Sequence, residues 1–232
     1  MKVKLLRYTA DPELLCGAAA LTSTKSGNPS DIFESINLEK ARQTVKRVTG
    51  YGHASVIEHA SFTFSIEEVS RAMTHQLVRH RIASYTQQSQ RYVTYDTLKQ
   101  YVIPPSINDN SEAKKIFDKA LESVSEAYNK LLQAGVPKED ARYILPNAAK
   151  TNIVVTMNAR ELRHFFNLRC CARSQWELRE VAIEMLRQVK KIAPSLFENA
   201  GPTCVELGYC PEGKMKPPEC SIDEIRKRFQ NL

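Results

Sequence analysis

The segment RHRIASYTQQSQRY, residues 79–92, organises the predictions for the whole chain. It contains three arginines and one histidine among neutral polar groups, and no acidic residue occurs between Glu68 and Asp96. A surface segment of ordinary composition carries charges of both signs, whereas this one offers only cations and neutral hydrogen-bonding groups. A guanidinium group presents a rigid fork of donors that matches phosphate oxygens. The segment therefore predicts a site for an anion with many acceptors, above all a phosphate.

The spacing within this segment predicts that the side chains at its start and those at its end face in different ways. On a regular helix, Arg79 and Arg81 would point about 200° from each other, so either the helix ends before them or they serve different ligands. In an extended chain, Gln87, Ser89 and Arg91 share one face, which would present an amide, a hydroxyl and a guanidinium in a row. Such a face suits a phosphate together with a base edge. The competing interpretation is a solvated basic face with surface ion pairs.

A second basic window lies between Ala141 and Trp176, where Glu161 is the one acid among six lysines and arginines. Two acid-poor windows in one chain predict a shared electropositive site. The net charge of +7 allows a nucleotide, another anionic ligand or nucleic acid, and it does not choose among them. A basic RNA- or nucleotide-binding module without catalysis is therefore the alternative. Against it, the arginines of the second window alternate with apolar residues instead of forming a continuous stripe.

The periodicity of the chain predicts an α+β single domain over residues 1–232, with a central β-sheet flanked by helices. Strands are predicted at 3–8, 60–66 and 153–157, and 84–93 is expected to be extended. Helices are predicted at 12–21, 38–48, 69–82, 112–132, 159–168 and 176–192. No Gly-rich phosphate fingerprint follows a strand, so a doubly wound dinucleotide-binding fold is not indicated. Pro, Gly and Cys residues predict an irregular tail at 195–232.

The six cysteines include no C-x-x-C pair, and the five histidines include no H-E-x-x-H motif. No metal site is predicted, although a zinc-stabilised tail through Cys204, Cys210 and Cys220 is a weaker hypothesis. No cysteine has a local context that would activate it as a nucleophile. The charged N-terminal segment does not resemble a signal peptide, and no apolar run approaches membrane-spanning length. A cytoplasmic protein with reduced thiols is expected.

The first segment resembles the signature of flavin-dependent thymidylate synthase. The matching positions are Arg79, His80, Arg81, Ser84, Ser89 and Arg91. The resemblance extends over about residues 45–190, through blocks that occur in the family's order: Gly52-His53, Glu58-His59, Glu139-x-x-Arg142, Asn158-Ala159-Arg160, Asn167-Leu168-Arg169 and Gln175-Trp176-Glu177. The chain departs from the family's pattern at Thr86-Gln87, where Asn-Glu is usual, and at His164, where Asn is equally expected.

This resemblance implies an enzyme that makes dTMP from dUMP. The methylene group would come from methylenetetrahydrofolate, and NADPH would supply the reducing hydride through FAD. The family forms homotetramers with FAD bound where subunits meet. Because the flavin also passes on the methylene group, no protein cysteine need attack the uracil, which agrees with the lack of an activated cysteine.

The resemblance also implies roles for individual residues. The dUMP-binding residues would be Gln76, Arg79, Gln87, Ser89, Arg91, Arg142 and Arg169. The FAD-binding residues would be His53, Ser55, Glu58, Arg79, His80, Arg81, Gln87, Asn158, Arg160 and His164. Arg169, Ser89 and His53 would be the catalytic residues: Arg169 would stabilise negative charge on the uracil, and His53 would lie beside the flavin ring.

Overall fold

A computed structural model of the protein describes residues 1–93 and 100–232. Within these residues, one four-stranded sheet has the order β1-β2-β4-β3. The strands are β1 (Lys2–Tyr8), β2 (Ser61–Ser70), β3 (Ala83–Gln87) and β4 (Lys150–Asn158). The sheet is antiparallel, and the strands alternate along the chain with helices, so the predicted α+β class is confirmed.

The helices of the described residues vary from a single turn to more than six turns. They are α1 (Pro12–Thr22), α2 (Pro29–Ser35), α3 (Leu38–Gly50), α4 (Arg71–Leu77), α5 (Pro105–Asn108), α6 (Ser111–Gln133), α7 (Lys138–Ala141), α8 (Ala159–Arg169), α9 (Trp176–Ile192), α10 (Pro194–Phe197), α11 (Thr203–Leu207) and α12 (Ile222–Gln230). Short 3-10 helices occur at Ala54–His59, Arg142–Ile144 and Gly213–Met215. None of these helices is both long and apolar enough to cross a membrane.

The chain clusters into two compact units. The first unit comprises Met1–Lys2, Ile66–Val78 and Thr86–Ile153, and the second comprises Val3–Ser65, Arg79–Tyr85 and Val154–Leu232. Each of the four strands contributes residues to both units. The single-domain organisation over residues 1–232 stays a prediction.

The core of the first unit forms around Tyr128 of α6, which is fully buried with Ala141 and Ala149. The apolar positions of α6 recur at spacings of three and four, so one stripe of this helix faces that core. Asn110 caps the helix by accepting hydrogen bonds from the backbone N–H groups of Glu112 and Ala113, both at 3.1 Å. The helix predicted at 112–132 is confirmed.

The second unit combines closely packed helices with an aromatic core. Gly17 of α1 lies so near α3 that a Cβ atom there would come within 2.6 Å of Ala41 Cα, and only glycine permits this approach. The ring of Phe197 packs edge-on against Phe62 at 5.5 Å and against Phe166 at 6.1 Å between centroids. These contacts bury the inner faces of β2 and α8.

The helix predicted at 69–82 is shorter than its periodicity indicates. Strand β2 continues to Ser70, whose hydroxyl then caps α4 by accepting a hydrogen bond from Met73 N at 3.0 Å. The helix ends at Leu77. The alternating pattern of the strand and the three-to-four spacing of the helix overlap here, so the apolar residues alone do not show where the strand ends. The helix cap at Ser70 marks that boundary.

The prediction that residues 84–93 are extended throughout is wrong. Strand β3 ends at Gln87, and the Ser89 carbonyl then accepts a hydrogen bond from Val93 N at 3.1 Å, which closes a turn. The Ser89 hydroxyl also accepts a hydrogen bond from Arg91 N at 3.1 Å. Serine favours such local bonds over a sheet ladder, so Gln87, Ser89 and Arg91 do not share one strand face.

The tail after Pro194 is more ordered than its composition indicates. It contains α11 and α12, and Ser221 caps α12 by accepting a hydrogen bond from Glu224 N. Phe229 of α12 is 3% exposed and packs on Gly201, where a Cβ atom would lie 2.9 Å from its ring. Phe229 thus packs α12 against an earlier part of the second unit.

Candidate functional site

The second unit contains an open cavity of about 620 Å³ next to the segment that resembles the signature. Three parts of the chain build its wall: the 3-10 helix Ala54–His59, the connection between α4 and β3, and the first turns and end of α8. The lining residues are Glu58, Arg79, His80, Arg81, Ile82, Asn158, Arg160, Glu161, His164, Leu168 and Arg169. Seven of the ten residues predicted to contact FAD are among them.

Arg79 and Arg81 line this one cavity together. Helix α4 ends at Leu77, so the arginines lie in a non-helical connection and the 200° separation expected on a helix does not apply. Both side chains are exposed, and neither takes part in the ion pairs formed among the described residues. The cavity therefore offers two guanidinium groups whose charge no carboxylate of these residues balances, which suits a polyanionic ligand.

A buried chain of hydrogen bonds joins three side chains of the cavity wall. Glu161 Oε1 lies 3.1 Å from His80 Nδ1, and Arg169 Nε donates to His80 Nε2 at 3.0 Å. An arginine only donates, so Nε2 of His80 must be an unprotonated acceptor. The proton of the neutral imidazole is then on Nδ1 and points to Glu161.

The electrostatics of this chain favour a neutral histidine. Burial, reinforced by the positive charge of Arg169 and by His164, lowers the pKa of His80 to about 4. Burial also raises the pKa of Glu161 and lowers that of Arg169. At neutral pH, His80 is therefore an uncharged connector between a cation at the cavity and a carboxylate behind it.

Two further polar groups come from the start of α8. Asn158 caps this helix by accepting a hydrogen bond from Glu161 N at 2.9 Å through Oδ1, so its amide NH₂ is the group that it can offer a ligand. Arg160 forms an ion pair with Glu58 at 2.5 Å. Both members of this pair are exposed, so a bound anion could recruit the guanidinium at small cost.

Two aliphatic side chains are exposed among these charged groups. Ile82 is 69% exposed and Leu168 is 46% exposed, although both are strongly apolar. An apolar surface beside unpaired cations fits a ligand that combines a flat ring system with phosphates, as FAD does. The residues present therefore fit the cofactor that the signature implies.

The first unit brings together Ser89, Arg91 and Arg142, three residues predicted to bind dUMP. Arg91 Nε lies 2.6 Å from Glu139 Oε2, and Arg142 Nε donates to the Glu139 backbone carbonyl at 3.0 Å. The Ser89 hydroxyl bonds the backbone of Arg91. Glu139 thus organises both arginines that were predicted to hold the phosphate.

Gln87, the departure from the family's pattern, is held inside the first unit. Its Nε2 group donates to Thr74 Oγ1 at 3.0 Å and to Thr151 Oγ1 at 3.3 Å. The Thr74 hydroxyl already donates to the Arg71 carbonyl at 3.0 Å, so towards residue 87 it can only accept. A glutamate here would find no proton at Thr74, whereas the amide of glutamine provides the required donor.

Three predicted FAD contacts, His53, Ser55 and Gln87, are not in the wall of the 620 Å³ cavity. His53 and Ser55 are exposed and lie at the start of the 3-10 helix that carries Glu58. Gln76 is half-buried on α4 in the first unit. The FAD and dUMP contacts of these four residues stay predictions.

Glu161 belongs to the site but was not predicted as a functional residue. The available signal was its position as the one acid in the basic window 141–176, three residues after a capping asparagine. Its partner His80 is 81 positions away, which no local pattern indicates. The described residues contain no group of three or more His, Cys, Asp or Glu side chains that could hold a metal ion, so the zinc hypothesis gains no support from them.

Fold and cavity together define an α+β protein with a cationic site for a nucleotide-like cofactor. Residues 4–195 match the family described as thymidylate synthase complementing protein. The chain is 48% identical to a flavin-dependent thymidylate synthase of Geobacter sulfurreducens, over 100% of this chain and 99% of that protein. It is also 48% identical to a flavin-dependent thymidylate synthase of Pyrococcus horikoshii, over 100% of this chain and 98% of that protein.

A solved structure shares the fold. The crystal structure of flavin-dependent thymidylate synthase ThyX from Helicobacter pylori, complexed with FAD and dUMP, superimposes with a TM-score of 0.70 at 25% identity and covers 87% of this chain and 100% of its own. The chain therefore belongs to the flavin-dependent thymidylate synthase family, and it is an enzyme of the methyltransferase class. The resemblance inferred from the signature is confirmed, and the alternative of a noncatalytic basic binding module is not supported.

Proposed function

We propose that this chain catalyses the reductive methylation of dUMP to dTMP with FAD bound in the cavity of the second unit. The observation that carries the proposal is the pairing of Arg79 and Arg81, two guanidinium groups without an acidic partner among the described residues, with the exposed aliphatic side chains of Ile82 and Leu168. This combination suits the phosphates and the ring system of one cofactor.

Different residues of the cavity would bind different parts of the cofactor. Arg79 and Arg81 would bind the diphosphate through charge-assisted hydrogen bonds, and Asn158 would offer its amide NH₂ to an acceptor. Ile82 and Leu168 would pack on the ring and exclude water. Bound FAD supplies the transfer of the hydride and of the one-carbon unit, while the chain binds, orients and polarises. His53 and Ser55 would contact the cofactor from the adjoining 3-10 helix.

The substrate would be held mainly by arginines. Arg91 and Arg142 would bind the phosphate of dUMP, with Ser89 beside them, because a guanidinium matches phosphate oxygens in a bidentate way. Arg169 would face the uracil. It cannot accept a proton, but its charge stabilises the negative charge that develops on the base when the ring becomes a nucleophile.

The remaining reactants and the assembly are also part of the proposal. Methylenetetrahydrofolate would donate the one-carbon unit, NADPH would be the reductant, and the chain would act as a homotetramer in the cytoplasm. Light scattering on the eluted protein should give four times the 26.3 kDa chain mass. A monomer that retains full activity would contradict the tetramer.

A visible absorption spectrum tests the function directly. The purified protein should be yellow, NADPH should bleach it under anaerobic conditions, and the complete substrate mixture should yield dTMP. A double variant, Arg79→Ala with Arg81→Ala, should elute colourless, whereas Arg187→Ala, which removes an exposed ion pair with Glu184 on α9, should remain yellow. A wild-type protein that neither takes up FAD nor forms dTMP would refute the proposal.

A further inference from the structure

Glu161 is a buried carboxylate to which none of the proposed steps gives a role. It is 6% exposed, and His80, its partner at 3.1 Å, is 4% exposed. An ionisable group in such a position costs free energy unless it is well hydrogen-bonded. Through His80 it is linked to Arg169, the residue proposed to face the uracil, which suggests a use beyond helix stability.

The hydrogen bonds around His80 have only one consistent direction. Arg169 donates to Nε2, so the imidazole donates from Nδ1, and Glu161 is the acceptor at that end. The backbone of His80 is fixed separately, because Tyr85 Oη donates to its carbonyl at 2.8 Å. The ring of Phe165 lies edge-on at 4.9 Å and restricts the plane of the imidazole.

We infer that Glu161 is a positioning residue for the proposed reaction: through His80 it holds the guanidinium of Arg169 in the orientation that binds the uracil. The inference rests on the proposed function, since it assigns Arg169 to the base. With Nε–H bound to His80, the Nη groups of Arg169 are left to face the ligand.

This role depends on which ring nitrogen of His80 carries the proton. If Nδ1 had no acceptor, the proton could reside on Nε2 instead. Two N–H groups, from Arg169 Nε and His80 Nε2, would then face each other at 3.0 Å, and the guanidinium would have to turn away. Displacing a reacting group by about 1 Å can cost about 100-fold in rate.

Paired substitutions separate positioning from simple packing. Glu161→Met removes the acceptor and keeps most of the volume, whereas Glu161→Gln keeps an oxygen that can accept from Nδ1. We expect Glu161→Met to lower kcat about 10- to 100-fold, with KM for dUMP changed less than about threefold because the phosphate contacts persist. Glu161→Gln should retain most of the wild-type kcat. Glu13→Gln, which alters a buried carboxylate bonded to Arg42 and Ser195 N, is the control and should retain kcat.

The bound flavin separates failure of this inference from failure of the proposed function. All variants should remain yellow and should be bleached by NADPH, because Arg79, Arg81 and Asn158 are unchanged. If the wild-type enzyme forms dTMP and both Glu161 variants retain its kcat, or if Glu161→Gln and Glu161→Met lower kcat equally, the positioning role is wrong. A wild-type protein without flavin would instead refute the proposed function.

The tautomer itself can be observed without activity. Long-range ¹H–¹⁵N spectra of protein labelled at histidine should show His80 protonated at Nδ1 and unprotonated at Nε2, with its signals identified by their loss in His80→Asn. Glu161→Met should shift this pattern towards Nε2 protonation or a mixture. A wild-type His80 protonated at Nε2 would overturn the inference even if the Met variant did not fold.

Discussion

Glu139 holds Arg91 in an ion pair of 2.6 Å, so the guanidinium proposed to bind the substrate phosphate already has an anionic partner in the same unit. Both side chains are about half exposed, at 54% and 43%. Exposed pairs of this kind are worth about 0–1 kcal/mol, and a phosphate with two charges can displace the carboxylate. The pair therefore keeps Arg91 near its binding position and competes weakly with the ligand.

Glu139→Gln should tighten dUMP binding about two- to fivefold, because the competing charge is removed while the backbone carbonyl that holds Arg142 remains. Titration of the bound flavin signal with dUMP measures this affinity. Asp140→Asn removes a neighbouring exposed charge and is the matched control, which should change the affinity less than twofold. A tenfold loss of affinity in Glu139→Gln would show that the carboxylate assists binding and does not compete.

Asn158 has two separable roles, as helix cap and as amide donor to the cofactor. Asn158→Ser keeps a cap on α8 but loses the amide, whereas Asn158→Ala loses both. Both variants should bind FAD about tenfold more weakly, since a hydrogen bond to a charged group is worth about 1.5–3 kcal/mol. Only the alanine variant should lose about 1 kcal/mol of unfolding free energy. Normal FAD affinity in the serine variant would remove Asn158 from the cofactor site.

Arg169→Ala should fold normally and bind flavin but lose most of its turnover. The charge that stabilises the developing anion on the base is gone, which should lower kcat by about 10²–10³. Arg169→Lys retains the charge without the planar fork and should recover only part of the rate. Flavin bleaching by NADPH and dTMP formation are measured in the same sample. Undiminished dTMP formation in the alanine variant would refute the role assigned to Arg169.

His80 should make the stability of the protein depend on pH below neutrality. Its pKa is lowered from 6.5 to about 4, whereas an unfolded chain carries an ordinary imidazole. Between these values the unfolded state binds more protons than the folded state, so the free energy of unfolding falls as the pH falls, by up to about 3 kcal/mol. Glu161, whose pKa burial raises, acts in the opposite direction because its folded form takes up a proton first.

Denaturant unfolding from pH 6.5 to 4 tests this contribution. The charged and titratable groups around His80 are Glu161, Arg169, His164 and Tyr85. His80→Asn leaves them in place and should flatten the fall in stability over this window. His75→Asn, at an exposed histidine of α4, should retain the wild-type slope. An identical slope in wild type and His80→Asn would contradict the buried neutral imidazole.

Regular elements with a clear apolar stripe were predictable from the sequence. The helix at 112–132 and the strand at 153–157 lie within α6 and β4, because each buries one face against a core. The junction of β2 and α4 was not predicted, because strand alternation and helical spacing overlap between Val69 and Leu77. The cap at Ser70 decides the boundary there, and its effect depends on a local hydrogen bond.

In the site, too, some residues were predictable from the sequence and others were not. The family resemblance predicted Arg79, His80, Arg81, Asn158 and Arg160, which line one cavity. The Glu161 acceptor and the threonine partners of Gln87 were not predicted, because these bonds join residues 13 to 81 positions apart. Only folding places a donor and an acceptor from distant segments together, so their pairing is invisible in any local pattern.

The connection between α4 and β3 has a consequence for engineering the enzyme. Only the five residues 78–82 join Leu77 to Ala83, and four of them line the cavity. A connection this short cannot absorb an extra residue. One inserted residue would therefore displace the side chains of Arg79, His80 and Arg81 relative to α8. Transplanting the segment between homologues should therefore succeed only when its length is preserved, whereas Val78, the one residue of the five that does not line the cavity, can vary.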